Sequence, residues 1–316
     1  MVIHPTGYMN HPTLGKVAKE GIYLQGLEGY SKTKVYDQGL IGQPIVHKDG
    51  AYNILFLGDS FTEGMQVSDD KKYAFQVEQT WNASASSVNI HSTNFGRSSA
   101  SPAYYIHLSE YYKDLVKPDL TVIQIDELDA NDLLDSSQNI YMVPSQDNGS
   151  FQTIKNDEFA SKNKIAQKFP QLYWLLNISV VRLGTEKLQS MIPKKKGMGE
   201  TKVSAEDPQV LEALNWSVKR LKECYPNLVI VYIPKMNFNE SLSNKGRFEQ
   251  QLEESSKQYH VNLLNMRQPF IREYEKTHQP MYGFNNTAPG KGHINSEGHR
   301  LISESIVQFL KGELGE

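Results

Sequence analysis

Apolar residues along this chain fall into short continuous runs, separated by stretches where they recur at helical spacing. Ile54-Leu55-Phe56-Leu57 is one such run, stopped by Gly58. Leu120-Thr121-Val122-Ile123-Gln124-Ile125 and Leu228-Val229-Ile230-Val231-Tyr232-Ile233 are two more. Runs of this length predict strands buried on both faces. Val88-Asn89-Ile90 and Val261-Asn262-Leu263-Leu264 are weaker members of the series. Between them, Ser68 is placed as the N-cap of a helix whose apolar face is Tyr73, Ala74, Val77 and Trp81. Asp207-Pro208, a capping residue followed by proline at the first helical position, predicts a second helix with Leu211, Leu214, Val218 and Leu221 as its buried stripe. A helical stretch follows from about Arg247 to Tyr259, and a closing amphipathic helix turns Leu301, Ile302, Ile306, Phe309 and Leu310 inward.

Buried strands alternating with amphipathic helices predict an α/β fold in three layers, a parallel sheet with helices on both faces. In such sheets ligands bind beyond the carboxyl ends of the strands, so chemistry is sought there. Two regions break the alternation. Residues 1–50 are rich in Gly, Tyr and Pro and read as an irregular lead-in packed on the domain, which itself spans 51–316. Residues 135–204 read as an insertion of the kind that builds a lid or a substrate wall, with Leu175-Leu176-Asn177-Ile178-Ser179-Val180-Val181 helical inside it.

Composition narrows the classes. The 316 residues carry a net charge of −3, with 39% apolar and 22% charged residues, ordinary for a globular chain with a core of useful size. The mild acidity speaks against a dedicated nucleic-acid binder, and Lys194-Lys195-Lys196 reads as a solvated loop. Cys224 is the single cysteine, so an internal disulfide and a thiolate zinc site are both excluded. No stretch approaches the roughly 18 apolar residues of a membrane span. The opening MVIHPTGYMN lacks the apolar core of a signal peptide. The cellular address stays open, a bacterial envelope or secreted setting included if a leader has been removed.

Four polar segments sit at the predicted strand ends. Gly58-Asp59-Ser60-Phe61-Thr62-Glu63-Gly64 follows the first strand; its glycines permit a tight turn that leaves the Ser60 hydroxyl accessible and its N–H free to face an oxyanion. Thr62 keeps it from matching the G-x-S-x-G elbow, and a plain strand-to-helix turn capped by serine is the competing reading. Asn94-Phe95-Gly96-Arg97 can present the Gly96 N–H to a substrate, or can be a simple turn. Asp129-Ala130-Asn131-Asp132 offers the Asn131 amide as a neutral oxyanion donor, or marks a helix cap. Gly290-Lys291-Gly292-His293-Ile294-Asn295-Ser296 holds His293 just before a helix N-terminus, with Asn295 or Ser296 as the cap. His299 lies inside the first helical turns and reads as a packing or surface residue. The spacing of the two histidines fits no helical metal motif, and no Ser or Thr follows Lys291 to make a phosphate loop.

Taken together, in this order and at these strand ends, the four segments resemble the blocks of the GDSL/SGNH hydrolase family, from about Asn53 to the C-terminus with 135–204 poorly covered. Gly58-Asp59-Ser60 is similar to the first block, Gly96 to the second-block glycine, Asn131 to the third-block asparagine and His293 to the fifth-block histidine. The closing GHINSEGHRLISESI is similar to the family's terminal helix start, and residues 11–50 to a lead-in found in some bacterial members. The resemblance implies a flavodoxin-like sheet, Ser60 as nucleophile, His293 as general base, and an oxyanion hole of Ser60, Gly96 and Asn131, with no metal or organic cofactor. Two positions depart from the pattern. Asp129 replaces the third-block glycine, and Gly290 stands where the triad acid is expected, three residues before the histidine. Two expectations follow: a main-chain carbonyl orients the imidazole, or Asp126 or Asp129 approaches it in the fold.

The resemblance implies hydrolysis of a small acyl ester, O-acetyl on a carbohydrate, by a serine esterase. The partner would then be a small-molecule or carbohydrate ester, with Tyr104, Tyr105, Tyr111 and Tyr112 as flat surfaces for sugars or as packing. A lipase or thioesterase taking a longer acyl chain, and a non-catalytic carbohydrate-binding module on the same fold, are the alternatives.

Overall fold

The five predicted strands pair as one parallel sheet. In the computed structural model, which describes residues 8–44, 46–84, 86–146, 149–156, 204–236 and 242–315, they are β5 (Tyr52–Leu57), β6 (Ile90–Asn94), β7 (Leu120–Asp126), β10 (Leu228–Ile233) and β11 (Asn262–Asn265). Their spatial order is β6-β5-β7-β10-β11, with every neighbouring pair parallel. That is the doubly wound, flavodoxin-like order, with the chain reversing direction across the sheet between β5 and β7. The carboxyl ends of β5, β6 and β7 therefore lie side by side.

Each sheet face has its own core. Leu55, Leu57, Ile123, Ile125, Ile230 and Tyr232 pack on one side against α3 (Pro102–His107), α4 (Ser109–Val116), α6 (Pro208–Cys224) and α7 (Arg247–Gln258). Ile54, Phe56, Val122, Val229 and Val231 pack on the other against α2 (Tyr73–Asn82), α8 (Arg267–Thr277) and α9 (Ser296–Leu314). The alternation of successive side chains across the sheet explains why Ile54–Leu57 and Leu228–Ile233, buried on both faces, are apolar throughout. Asp207 caps α6 as its sequence predicts, accepting from Gln209 N at 2.8 Å, and Cys224 is buried near that helix's end.

Several local expectations need correction. Ser68 precedes a 3₁₀ turn (Asp69–Lys71) rather than capping α2, which starts at Tyr73. Leu211 is only half-buried, and Val210 and Ala213 take the inner face of α6. The second strand covers Ile90–Asn94 rather than 88–90, because its polar residues find partners. Thr93 Oγ1 donates to Val46 O at 2.9 Å, and Asn94 Nδ2 donates to Thr62 O at 2.9 Å. Hydrophobic periodicity does not register such satisfied polar positions.

Among its described residues the lead-in carries regular strands rather than an irregular path. β1 (Tyr8–His11) pairs with β2 (Gly15–Ala18), and β3 (Gly21–Gln25) with β4 (Ser31–Val35), both antiparallel. It joins the main sheet where Ile41 N donates to Asn94 O at 3.0 Å. Within 135–204, a hairpin of β8 (Ile140–Pro144) and β9 (Phe151–Lys155) packs on α3. The helix expected at Leu175–Val181 and the loop at Lys194–Lys196 lie outside the described residues.

Candidate active site

Strand β5 delivers Ser60 to the sheet's carboxyl edge. The chain leaves Leu57 and turns at Gly58, where a Cβ would sit 1.7 Å from Thr62 Oγ1, so only glycine fits. It then enters a one-turn helix, α1 (Ser60–Glu63). Asp59 caps this helix by accepting from Phe61 N at 2.8 Å, and Gly64 ends it in the left-handed conformation. As the first residue of α1, Ser60 has no intrahelical acceptor for its N–H. Bracing is dense behind it. Gln124 Oε1 accepts from Asp59 N at 3.0 Å, Thr62 Oγ1 meets Tyr73 OH at 2.6 Å, and Asn94 Nδ2 donates to Thr62 O at 2.9 Å.

His293 arrives from the opposite end of the chain. Its loop is pinned by Gly283 N to His293 O at 2.9 Å and Asn295 N to Met281 O at 2.9 Å. Asn295, not Ser296, caps α9, accepting from Glu297 N and Gly298 N. The imidazole Nε2 lies 2.9 Å from Ser60 Oγ, and its ring meets the Phe61 ring edge-on at 5.5 Å. The other nitrogen, Nδ1, is 2.6 Å from Oε2 of Glu28, and the His293 N–H donates to Glu28 Oε1 at 2.6 Å. The nearest carboxylate thus comes from the β3–β4 turn, 265 residues away in sequence.

This differs from both expectations for the imidazole's partner. Nδ1 faces a carboxylate rather than a main-chain carbonyl, and neither Asp126 nor Asp129 is bonded to His293. Both aspartates are consumed within the turn after β7. Asp129 Oδ2 accepts from Asp126 N at 2.9 Å, and Asp126 Oδ1 accepts from Leu128 N at 2.6 Å. Burial, then the neighbouring like charges, holds Asp59 and Asp129 well above the usual carboxylate range. Burial likewise pushes Asp126 up to about 6, against the hydrogen bonds that favour its charge. Three buried acids this close share protons rather than all ionise.

The expected oxyanion donors are placed unequally. Asn131 lies in α5 (Asp129–Asp132), and its amide makes only a long 3.5 Å contact to Leu128 O, so its hydrogens are poorly used at home. Gly96 N–H, by contrast, donates to Asn94 Oδ1 at 2.8 Å. A Cβ at Gly96 would fall 2.2 Å from Glu63 N, so close packing against α1 already demands a glycine there. The tyrosine cluster is packing: Tyr104, Tyr105 and Tyr112 are buried and Tyr111 half-buried.

His299 supports the site from below. It is 1% exposed, stacks on Tyr73 at 5.6 Å, and its Nδ1 takes the Tyr73 N–H at 3.3 Å. Burial, then the charges of Lys72 and His293, lowers its pKa to about 3. The ring is therefore neutral when folded, while in the unfolded chain it gains a proton below about 6.5. Its stabilising contribution is complete above pH 6.5 and is lost as pH falls toward 3, at up to about 1.4 kcal/mol per unit. By pH 5 the loss reaches about 2 kcal/mol. Urea titrations at pH 7 and pH 5 should show His299→Gln losing about 2 kcal/mol less than the parent between the two. The buried aspartates are common to both proteins and cancel. Equal losses would show that the buried ring does not titrate as described.

No family model matches the sequence, and no curated protein matches it. Solved structures resemble it at low identity. A two-domain esterase active on acetylated mannans is similar over 86% of this chain, at 14% identity and a TM-score of 0.46; the chain spans about half of that protein, 51%. An acetyl-xylooligosaccharide esterase from Geobacillus is similar over 82% of this chain and 94% of its own, at 13% identity and a TM-score of 0.43. A protein from Parabacteroides merdae described as a putative GDSL-like lipase is similar over 84% of this chain and 98% of its own, at 14% identity and a TM-score of 0.42. Among the described residues no helix is long and apolar enough to cross a membrane, and no cluster of His, Cys, Asp or Glu could hold a metal.

Proposed function

We propose that the protein is a serine ester hydrolase of the GDSL/SGNH type, with Ser60 as nucleophile and His293 as general base. The observation that carries this reading is the 2.9 Å approach of His293 Nε2 to Ser60 Oγ at the carboxyl end of a parallel strand. A nucleophile and base within hydrogen-bond reach, drawn from opposite ends of a chain, are what acyl transfer needs and what mere capping does not. Ser60 Oγ attacks the ester carbonyl carbon as its proton passes to Nε2. The tetrahedral oxyanion is met by the Ser60 N–H and the Asn131 amide. Gly96 would add its N–H by sharing it with Asn94. The imidazolium then returns the proton to the leaving alcohol oxygen, the C–O bond breaks, and water repeats the sequence on the acyl-enzyme. The intact Ser–His contact weighs against a module that only binds.

The substrate proposed is a small acyl ester, an O-acetyl group on a carbohydrate. Tyr30, two residues beyond Glu28, is 76% exposed and offers the flat aromatic face that the buried tyrosines cannot. Phe61 walls the site at the imidazole. The test is a series of p-nitrophenyl esters from acetyl to dodecanoyl, alongside acetylated xylo- and manno-oligosaccharides. kcat/KM is expected to be highest for acetyl and to fall roughly tenfold or more by octanoyl. A rise with chain length would move the reading to a lipase or thioesterase, for which exposed Leu24, Leu27 and Leu128 would be the acyl-contacting surface.

A further inference from the structure

We propose that Glu28 is the positioning residue of His293, and that the β3–β4 hairpin is a working part of the active site that delivers this carboxylate across the fold. The proposal rests on the Ser60–His293 reading. The Glu28 carboxylate spans one residue twice: Oε2 takes Nδ1 of the ring and Oε1 takes the backbone N–H of the same histidine, each at 2.6 Å. Two fixed points on one residue set both the ring's place and its rotation. With Nδ1 as the donor, Nε2 is left with its lone pair toward Ser60 Oγ, the tautomer a general base requires. The carboxylate also faces the positive charge that appears on the ring when Ser60 gives up its proton.

The histidine loop is shaped to admit an acid from outside. Gly290 and Gly292 both have left-handed φ, 78° and 82°. A Cβ on Gly292 would sit 2.1 Å from Glu28 Oε1, so a side chain there would evict the carboxylate. The loop gives up its own acid and keeps open the space through which another chain segment supplies one.

The hairpin is held for this purpose on two sides. Asn286, in the histidine loop, donates to Gly26 O at 3.0 Å and Gly29 O at 3.3 Å and accepts from Gly29 N at 2.9 Å, clasping the turn that carries Glu28. On the other side the hairpin is bonded to the segment after Ser60. Ser31 Oγ donates to Met65 O, and Lys34 N donates to Asp69 Oδ2 at 2.9 Å. Buried Lys72 Nζ joins Thr33 Oγ1 at 2.8 Å to Gly64 O at 2.6 Å and Val67 O at 2.8 Å. One hairpin therefore ties the serine loop to the histidine loop, with the acid at the tie.

The test uses the full chain with p-nitrophenyl acetate as substrate and a fluorophosphonate as an active-serine probe. Glu28→Gln keeps an oxygen to accept from the His293 N–H but removes the charge. It is expected to lower kcat by roughly 10²–10⁴ with KM within about threefold and the melting temperature near the parent's. Glu28→Asp should recover part of the loss, and added formate should restore part of the turnover of Glu28→Ala; a purely structural role would show neither. Asn286→Ala should lower kcat less than Glu28→Gln, again at nearly constant KM, because it loosens the clasp and leaves the acid. In proton NMR the low-field Nδ1–H signal of His293 should be present in the parent and absent in Glu28→Gln. The proposal is overturned if Glu28→Gln keeps kcat within threefold while Ser60→Ala is inactive, since another group then orients the ring. If Ser60→Ala retains full turnover, it is the Ser60–His293 reading itself that fails.

Discussion

Ser60→Ala is expected to cut turnover of p-nitrophenyl acetate by about 10⁶ and to abolish fluorophosphonate labelling, with the fold intact. His293→Ala should cost nearly as much, and the double variant little more than either, because nucleophile and base act as one unit. The structure explains why stability should survive. The helix that begins at Ser60 is capped by Asp59, not by the serine, and the hydrogen bond of Ser60 Oγ is to the His293 ring. Removing the hydroxyl should therefore shift the unfolding free energy by no more than about 0.5 kcal/mol, the usual range for a change that leaves caps and core alone. Urea unfolding and single-turnover kinetics on the same samples check both halves. A Ser60→Ala protein that keeps more than a hundredth of the turnover would point to a nucleophile elsewhere.

The residues proposed for this chemistry differed in how far the sequence announced them. Ser60 was legible because it sits where an apolar run meets a polar turn, and His293 because it stands just before the Asn295-Ser296 start of the closing helix. The sheet was legible because Ile54–Leu57 and Leu228–Ile233 are buried on both faces, and burial leaves a plain mark on composition. Glu28 left no such mark. Its role depends on a contact spanning nearly the whole chain, within a hairpin whose strands alternate only partly in hydrophobicity. β4 reads Ser-Lys-Thr-Lys-Val with buried Ser31 and Thr33, so the inward face is polar and periodicity misses it. The available signal was chemical: Gly26-Leu27-Glu28-Gly29 is a turn sequence with an acid at its tip, and the histidine loop lacks one. Asp126 and Asp129 were nearer in sequence to a strand end, but proximity to the site is not orientation toward it. Their own turn uses them first.

Gly96→Ala should be more damaging to rate than Gly64→Ala, and the reason is not the loss of a donor. Alanine keeps the backbone N–H, so a residue needed only for its N–H would tolerate the change. The obstacle is space. A Cβ at this position would lie 2.2 Å from Glu63 N, 2.4 Å from Thr62 C and 2.8 Å from Glu63 Cα, all of them backbone of the serine helix. Backbone cannot rotate aside as a side chain can, and this helix is held on its other sides by Asn94, Gln124 and Tyr73. Either the β6 turn or the helix must move by about 1 Å, which for overpacking costs about 1–3 kcal/mol or more. A displacement of that size at the nucleophile lowers kcat by about 10². Gly64→Ala is the comparison. Its left-handed φ of 60° imposes about 1–2 kcal/mol of strain on a side chain, but the new methyl would meet only Lys72 Cγ at 3.3 Å and His299 Cε1 at 3.4 Å. It should lose stability with a smaller loss of kcat. Should Gly96→Ala instead unfold like the parent and keep its rate, the helix has room that this packing denies it, and close approach of the backbone is not why a glycine stands there.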